Sequence, residues 1–468
     1  MSNLRGLSRR LIAANEDEFG LYYRALKFPG RRRLAAASQQ RQNLLDSLGE
    51  SLHWAAGGTK PHIGELSPGC RQCVAGNWSC LFINASCNAS CFYCPTAQDR
   101  QEVPATNNLQ FRHPEAYATY LKRLGFRGSS ISGGEPLLTL NRTLAFLRAA
   151  RRGLGKKGHL WLYTNGILLT REIAGQLADA GLDEIRFDIG ASNYDYHKIA
   201  LASGLIPVIS IEIPAVPEAL PTLKQILPEM PALGVRHLNL HQLRLTRHNF
   251  RHLNERNYSF LHGEKITVLD SELAALELLS FVHRTRLDLA VNYCSFVFKN
   301  RHQKAAARQR AAQLDRRPWE TVTPAGFIRK IALCGEPERL QKQVALWQQA
   351  GRDDALWQLL PGQSRLSISP QLLPLINWHR LQLAVGYDQV QLMQQGKPDR
   401  GDLKIPLEPE HAVNLVRHRD SAEYLLGPTA ARSFFHTWLE GHSPETLPAH
   451  QRVFQEWENI PEGLQTYF

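Results

Sequence analysis

Between residues 81 and 294, short apolar runs alternate with amphipathic stretches of helical period, and that alternation leaves few architectures open. The runs are LFI (81–83), SSISGG (129–134), HLWLYTNG (159–166), DEIRFDIG (183–190), PVISIEIP (207–214), VRHLNLHQL (235–243) and LDLAVNY (287–293). Among them lie HPEAYATYLKRLGF (113–126), LNRTLAFLRAARRG (140–153), REIAGQLADAG (171–181) and SELAALELLSFVHRT (271–285). Strands separated by helical stretches of this length indicate βαβ units and a parallel sheet. Six or seven units predict an α/β fold, a partial TIM-like barrel with its functional residues at the C-terminal ends of the strands.

The flanks read differently. Residues 1–64 form a basic helical N-terminal segment, with LSRRLIAAN (7–15) and RQNLLDSLGESLHWAA (41–56) as helices ended by Gly57-Gly58. Residues 65–298 hold the barrel and a preceding cysteine-rich loop, and a closed barrel would bring its first and last strands together. Residues 299–468 are expected to form a C-terminal α+β domain. It opens with a basic helix (300–314) and the hairpin TVTPAGFIRKIAL, turning at Pro324-Ala325-Gly326.

Three cysteines, Cys87, Cys91 and Cys94, carry the chemistry. Three thiolates this close cannot all pair as disulfides. They can hold three irons of a [4Fe-4S] cluster and leave the fourth iron open; the alternatives are a zinc knuckle or a chance grouping. Upstream, Cys70, Cys73 and Cys80 precede the first barrel strand, and Cys294 follows the last. Four soft thiolates favour zinc, a mononuclear iron or a second iron–sulfur cluster, and the spacing does not choose among them. Buried, unliganded cysteines are the plain alternative.

Ser132-Gly133-Gly134-Glu135-Pro136 ends the second strand, where adjacent glycines let backbone approach a ligand. Thr164 and Asn165 end the third strand, Asp188 the fourth and Glu212 the fifth. Each is a candidate ligand contact with helix capping as its alternative, and their recurrence at successive strand ends favours a site. His241, Gln242, Thr246 and Asn249 follow the sixth strand as candidate top-face contacts, His241 with a hydrogen-bonded structural role as its alternative.

The chain of 468 residues is 43% hydrophobic and carries a formal net charge of +12. Basic runs lie at Arg31–Arg33 and from Lys299 to Arg317. They read as solvated helix faces or as a surface for an acidic partner. They lack interleaved aromatics, which disfavours nucleic acid. Neither an apolar membrane span nor a signal peptide is apparent, so a cytoplasmic protein is expected, its thiols kept reduced.

The C-x3-C-x2-C run with Tyr93 before its last cysteine, followed by the Gly-Gly-Glu-Pro turn, resembles the radical S-adenosylmethionine (SAM) enzymes. The resemblance implies that Cys87, Cys91 and Cys94 bind a [4Fe-4S] cluster whose open iron chelates SAM. It also implies that Tyr93 packs near the adenine and that Gly133, Gly134 and Glu135 orient the methionine end. Thr164, Asn165, Asp188 and Glu212 would contact the ribose or the SAM carboxylate, and an electron donor such as ferredoxin or flavodoxin would serve the cluster.

Three further segments resemble the methanogenesis-marker radical SAM proteins, which C-methylate an arginine of methyl-coenzyme M reductase with cobalamin. They are SPGCRQCVAGNWSCLFINASCNASCFYCPT (67–96), NLHQL (239–243) with Thr246 and Asn249, and NYCSFVFKNRHQ (292–303). In that family cysteines matching Cys70, Cys73, Cys80 and Cys294 hold an extra iron. The likeness covers about residues 65 to 310, and the chain has no Asp-x-His-x-x-Gly cobalamin motif. The expectation is a radical SAM enzyme that methylates carbon in a protein or peptide with cobalamin. A cobalamin-free radical SAM enzyme (peptide modification or glycyl-radical activation) and a non-catalytic iron–sulfur or zinc protein are the alternatives.

Overall fold

A computed structural model describes residues 2–100, 102–360, 362–394, 403–408, 411–441, 447–448 and 450–468. The chain divides into two compact units, Met1–Gln303 with Glu462–Phe468, and Lys304–Pro461.

In the first unit, seven parallel strands among the described residues follow one another in chain order across one sheet. They succeed a short N-terminal hairpin, β1 (His53–Ala55) and β2 (Lys60–Ile63). The seven are β3 (Trp78–Phe82), β4 (Gly128–Ser132), β5 (His159–Thr164), β6 (Glu184–Phe187), β7 (Val208–Pro214), β8 (Val235–His241) and β9 (Ala290–Cys294). Helices Pro114–Arg123, Leu140–Leu154 and Arg171–Asp179 make the first crossovers, and Leu269–Thr285 makes the last. Each helix obeys its sequence pattern. Leu140–Leu154, for instance, buries Leu144, Phe146, Leu147 and Ala150, while Thr170 caps Arg171–Asp179 by accepting from the Ile173 N–H. Strand β5 is apolar on both faces (Leu160, Trp161 and Leu162 are all fully buried), as expected of a parallel strand covered on both sides.

Two expectations need correction. Residues 53–56 are not helical: β1 and β2 pair antiparallel through a turn in which Ala56, Gly57 and Gly58 all have positive φ (50°, 58° and 75°). A helix cannot pass through three such residues, so the segment reverses and β2 joins β9. The barrel also does not close: β3 pairs with β4 and a short strand at Ala105–Thr106, and β9 pairs with β8 and β2. The first and last parallel strands are therefore not partners.

The N-terminal helix Arg31–Asp46 packs on Leu269–Thr285, with Arg33 paired to Asp270 and Arg41 to the buried Glu272. The C-terminal tail belongs to the same unit. The Tyr467 hydroxyl also donates to Glu272, the Gly463 N–H donates to the Gly57 carbonyl at 2.7 Å, and Arg41 donates to the Gln465 carbonyl at 2.8 Å.

The second unit is an antiparallel α+β structure. Its sheet includes Ile328–Cys334, Arg365–Ile368, Gln382–Met393 and His411–Arg419, and the expected hairpin joins Thr321–Val322 to Ile328–Cys334. Trp347, Trp357, Tyr387, Phe434, Phe454 and Trp457 form its core. Part of the basic run is spent on packing, because Arg308 lies 4.9 Å over the Phe327 ring. No helix of the described residues is long and apolar enough to cross a membrane.

Candidate metal and cofactor site

Strand β3 runs through Asn84 into a small antiparallel pair, Ala85–Ser86 with Asp99–Arg100, and this pair closes the loop bearing Cys87, Cys91 and Cys94. The loop is fastened at the strand C-terminal ends. The Asn165 amide donates to Asn88 at 2.7 Å, the Thr246 hydroxyl to the Pro95 carbonyl at 2.9 Å, and the Asn249 amide to the Tyr93 carbonyl at 3.1 Å. The Arg256 guanidinium stacks 3.6 Å over the Phe92 ring. Thr246 and Asn249 thus spend their polar groups on holding the loop. Burial pushes all three thiols up, Cys91 to about 12 with help from the Asp188 charge. Metal binding must therefore displace protons.

Gly133 and Gly134 lie against the same strand connection. A Cβ on Gly134 would stand 1.8 Å from the Ser86 carbonyl oxygen, and one on Gly133, whose φ is 123°, 2.4 Å from that of Asn84. Neither position tolerates a side chain. Glu135 is 1% exposed and accepts three hydrogen bonds: from the Leu137 N–H at 3.0 Å, the Thr164 hydroxyl at 2.8 Å and the Asn165 N–H at 2.7 Å. It ties the ends of β4 and β5 together and sets the orientation of the glycine pair. Gly134→Ala is expected to force this turn off Ser86 at a cost of about 1–3 kcal/mol, seen as a lower melting temperature. An unchanged melting temperature would contradict the close approach.

Tyr93 and Asp188 meet directly, the hydroxyl donating to both carboxylate oxygens at 3.0 and 3.2 Å. Burial raises Asp188 to about 6, against the pull of that hydroxyl. Glu212 faces the barrel interior, where it binds Arg186, His241 and Asn239. Burial opposes its charge, yet Arg186 and His241 hold it well below the usual carboxylate range. The structure therefore gathers Cys87, Cys91, Cys94, Tyr93, Gly133, Gly134, Glu135, Thr164, Asn165 and Asp188 around one loop. It places Glu212 in a separate ion-paired layer.

The other cysteines line that layer. Helix Pro68–Val74 carries Cys70 and Cys73, with its Gly69 N–H donating to Glu184 at 3.0 Å and its capping Ser67 bonded to Arg186 at 3.0 Å. Cys70 Sγ lies 3.9 Å from the Asn292 amide on β9, and the Gln303 amide donates to Cys73 Sγ at 2.8 Å. This interior helix, rather than barrel closure, brings Cys70 and Cys73 to the last strand, while Cys80 lies on β3. Burial drives Cys73 up to about 12 and Cys80 to about 11. Burial would raise Cys294 too, but the Lys60 and Lys299 ammoniums bring it down to about 6. Sequence reasoning passed over Lys60, Arg186 and Glu184; their signal was charge within short buried strands, Lys60 at the head of KPHI and Glu184 with Arg186 in EIRF.

Among the described residues no three His, Cys, Asp or Glu side chains are preassembled to hold a metal ion. The donor chemistry is nonetheless suited to one. The loop supplies three thiols and no fourth cysteine or histidine, the set that leaves one iron of a cube open. The interior supplies thiols facing a buried cation, which is how a thiolate centre is charge-balanced.

Residues 81–201 match the profile of the radical SAM superfamily. A Methanocaldococcus jannaschii protein named a putative glycyl-radical enzyme activating enzyme is 28% identical over 296 residues, 61% of this chain and 78% of that relative. A GTP 3′,8-cyclase of Corynebacterium glutamicum is 35% identical over 106 residues, 22% of this chain, and the chain spans only 28% of its length. The crystal structure of SuiB from Streptococcus suis aligns with a TM-score of 0.35 and 10% identity, covering 48% of this chain and 53% of SuiB. The three-cysteine loop and the Gly-Gly-Glu-Pro turn both fall within the residues that match the radical SAM profile.

Proposed function

We propose that this radical SAM enzyme methylates an unactivated carbon of a protein or peptide with the help of cobalamin, and that it holds a second, thiolate-bound metal. The observation that carries the SAM half is the loop of Cys87, Cys91 and Cys94, fastened by Asn165, Thr246 and Asn249 at the strand ends beside the glycine pair. When bound, the [4Fe-4S] cluster supplies one electron, which cleaves a C–S bond of SAM to give a 5′-deoxyadenosyl radical.

In this reading Cys87, Cys91 and Cys94 hold the cluster. Gly133 and Gly134 present backbone polar groups to the methionine end, with Glu135 fixing their orientation from below. Tyr93, positioned by Asp188, borders the adenine, and Thr164, Asn165 and Asp188 bound the ribose side. Cys70, Cys73, Cys80 and Cys294 are the proposed ligands of the second metal, whether iron, zinc or an iron–sulfur cluster. The basic charge excess suits an acidic substrate surface, and a ferredoxin or flavodoxin is the proposed electron source. A cytoplasmic site of action is part of the same proposal.

Anaerobic incubation with SAM, a strong reductant and methylcobalamin tests it. The expected products are 5′-deoxyadenosine and S-adenosylhomocysteine, the latter only when cobalamin is present. The name of the Methanocaldococcus relative supports a second reading, activation of a glycyl-radical enzyme. Deoxyadenosine without cobalamin-dependent S-adenosylhomocysteine would move the assignment there.

A further inference from the structure

Lys60 is 1% exposed, and among the described residues it forms no ion pair with a carboxylate. Burying an ammonium without a charge partner is too costly to persist in a folded core. Its surroundings identify the partner. β2 runs antiparallel to β9, with Ile63 opposite Val291 and His62 opposite Asn292. Continued by two residues, that register sets Lys60 across from Cys294. The Asn292 amide reaches Cys70 Sγ at 3.9 Å, and the Lys60 ammonium sits 5.0 Å over the Phe298 ring. Its nearest electrostatic neighbours are the thiols of Cys294, Cys70 and Cys73, followed by Glu212. Glu212 is already taken by Arg186 and His241.

We infer that Lys60 is the charge-compensating and positioning residue of a thiolate metal centre at Cys70, Cys73, Cys80 and Cys294, and that this centre takes a divalent cation. The inference rests on the second-metal reading above and assigns that site a residue outside its ligand set. A divalent ion on four thiolates carries a net charge of −2, and a buried dianion needs a cation against it. Lys60 supplies one on the side of Cys294, Cys70 and Cys73. Lys299, whose ammonium is 2.7 Å from His241 Nδ1, supplies a second on the side of Cys294 and Cys80. Gln303 adds a neutral donor to Cys73. The cations thus flank the thiols and provide no further ligand.

The test is a Co2+ titration of the full chain carrying C91A, which leaves two thiols in the SAM-cluster loop and so only one set able to give a tetrahedral four-sulfur spectrum. The parent is expected to bind one Co2+ with intense visible bands and a thiolate charge-transfer band. Adding K60M is expected to weaken Co2+ binding about 10- to 100-fold, the usual effect of removing an outer partner of a metal site, while K60R restores most of it. Zn2+ should displace Co2+ in each variant. Equal Co2+ affinity in K60M and the parent, or loss of affinity in K60R as great as in K60M, would overturn the role of Lys60. A parent chain with no four-sulfur Co2+ spectrum would overturn the centre itself. Deoxyadenosine formation by the wild-type chain would then still stand, separating that failure from a failure of the radical SAM reading. Circular dichroism matching the parent identifies folded variants, and K60Q replaces K60M if K60M does not fold.

Discussion

Replacing Cys91 with alanine is expected to abolish deoxyadenosine formation from SAM, with turnover falling to below about 1% of the parent, because a cube held by two thiolates is not retained. Cys91 is the middle of the three proposed ligands, and its thiol lies near both Cys87 and Cys94. Apart from a hydrogen bond with the Tyr93 hydroxyl, the contacts that position the loop bypass its sulfur. Asn165 holds Asn88, Thr246 holds the Pro95 carbonyl, Asn249 holds the Tyr93 carbonyl, and the Cys94 N–H donates to the Cys91 carbonyl at 3.0 Å, which alanine keeps. The fold should therefore survive, with a melting temperature near the parent's in the absence of iron. Iron and sulfide content after reconstitution should drop by about one cube. Deoxyadenosine at the parental rate would remove Cys91 from the ligand set.

Much of this arrangement could be read from the chain because the relevant signals are local. Parallel strands buried on both faces must be apolar, so HLWLYT and VISIEIP announce themselves. The cysteine loop and the glycine pair are contiguous motifs, and the structure brings them together through the backbone of Asn84 and Ser86. What was not legible depends on pairing between distant segments. The amphipathic pattern that runs up to Ala56 is followed by two glycines, Gly57 and Gly58, which suits a helix end as well as a hairpin. The pairing of His53–Ala55 with Lys60–His62, and of His62 with Asn292, decides for the hairpin. The helix at Pro68–Val74 is too short to show a period, and its place in the barrel follows from Gly69 fitting beneath Arg186, where a Cβ would lie 2.4 Å from the guanidinium. Glu212 looked like its neighbours at the strand ends. Strand β7 runs two residues past it, so it sits one layer deeper than Thr164 or Asp188 and meets Arg186 instead of the loop.

Arg186→Met should produce the largest loss of stability. The guanidinium is 3% exposed. It donates to Glu184 at 2.8 Å, to Glu212 and to the Ser67 hydroxyl at 3.0 Å, and it lies 5.2 Å over the Trp161 ring. Methionine fills part of the volume but leaves two buried carboxylates without their shared cation, a loss of about 3–5 kcal/mol. The pH dependence gives the cause a signature. Burial opposes the charge on Glu184, but Arg186 and His159 hold it at about 2, and Glu212 also lies well below the ordinary range. Depressed carboxylates stabilise the fold above their unfolded value of about 4.5 and lose that contribution as pH falls toward the folded value. Without Arg186 the same carboxylates are raised by burial, so acid relieves the variant by neutralising them. The gap in melting temperature between parent and variant should be widest near pH 7–8 and should narrow below about pH 5. A gap of constant size across that range would mean that lost packing against Trp161, not charge, is responsible. The damage should also reach the second thiol set, because Ser67 and Gly69 of the helix bearing Cys70 and Cys73 are docked on Arg186 and Glu184. Arg186→Met should therefore weaken divalent-metal binding at those cysteines while leaving the loop of Cys87, Cys91 and Cys94, which is fastened at the C-terminal ends of the strands, able to take up iron.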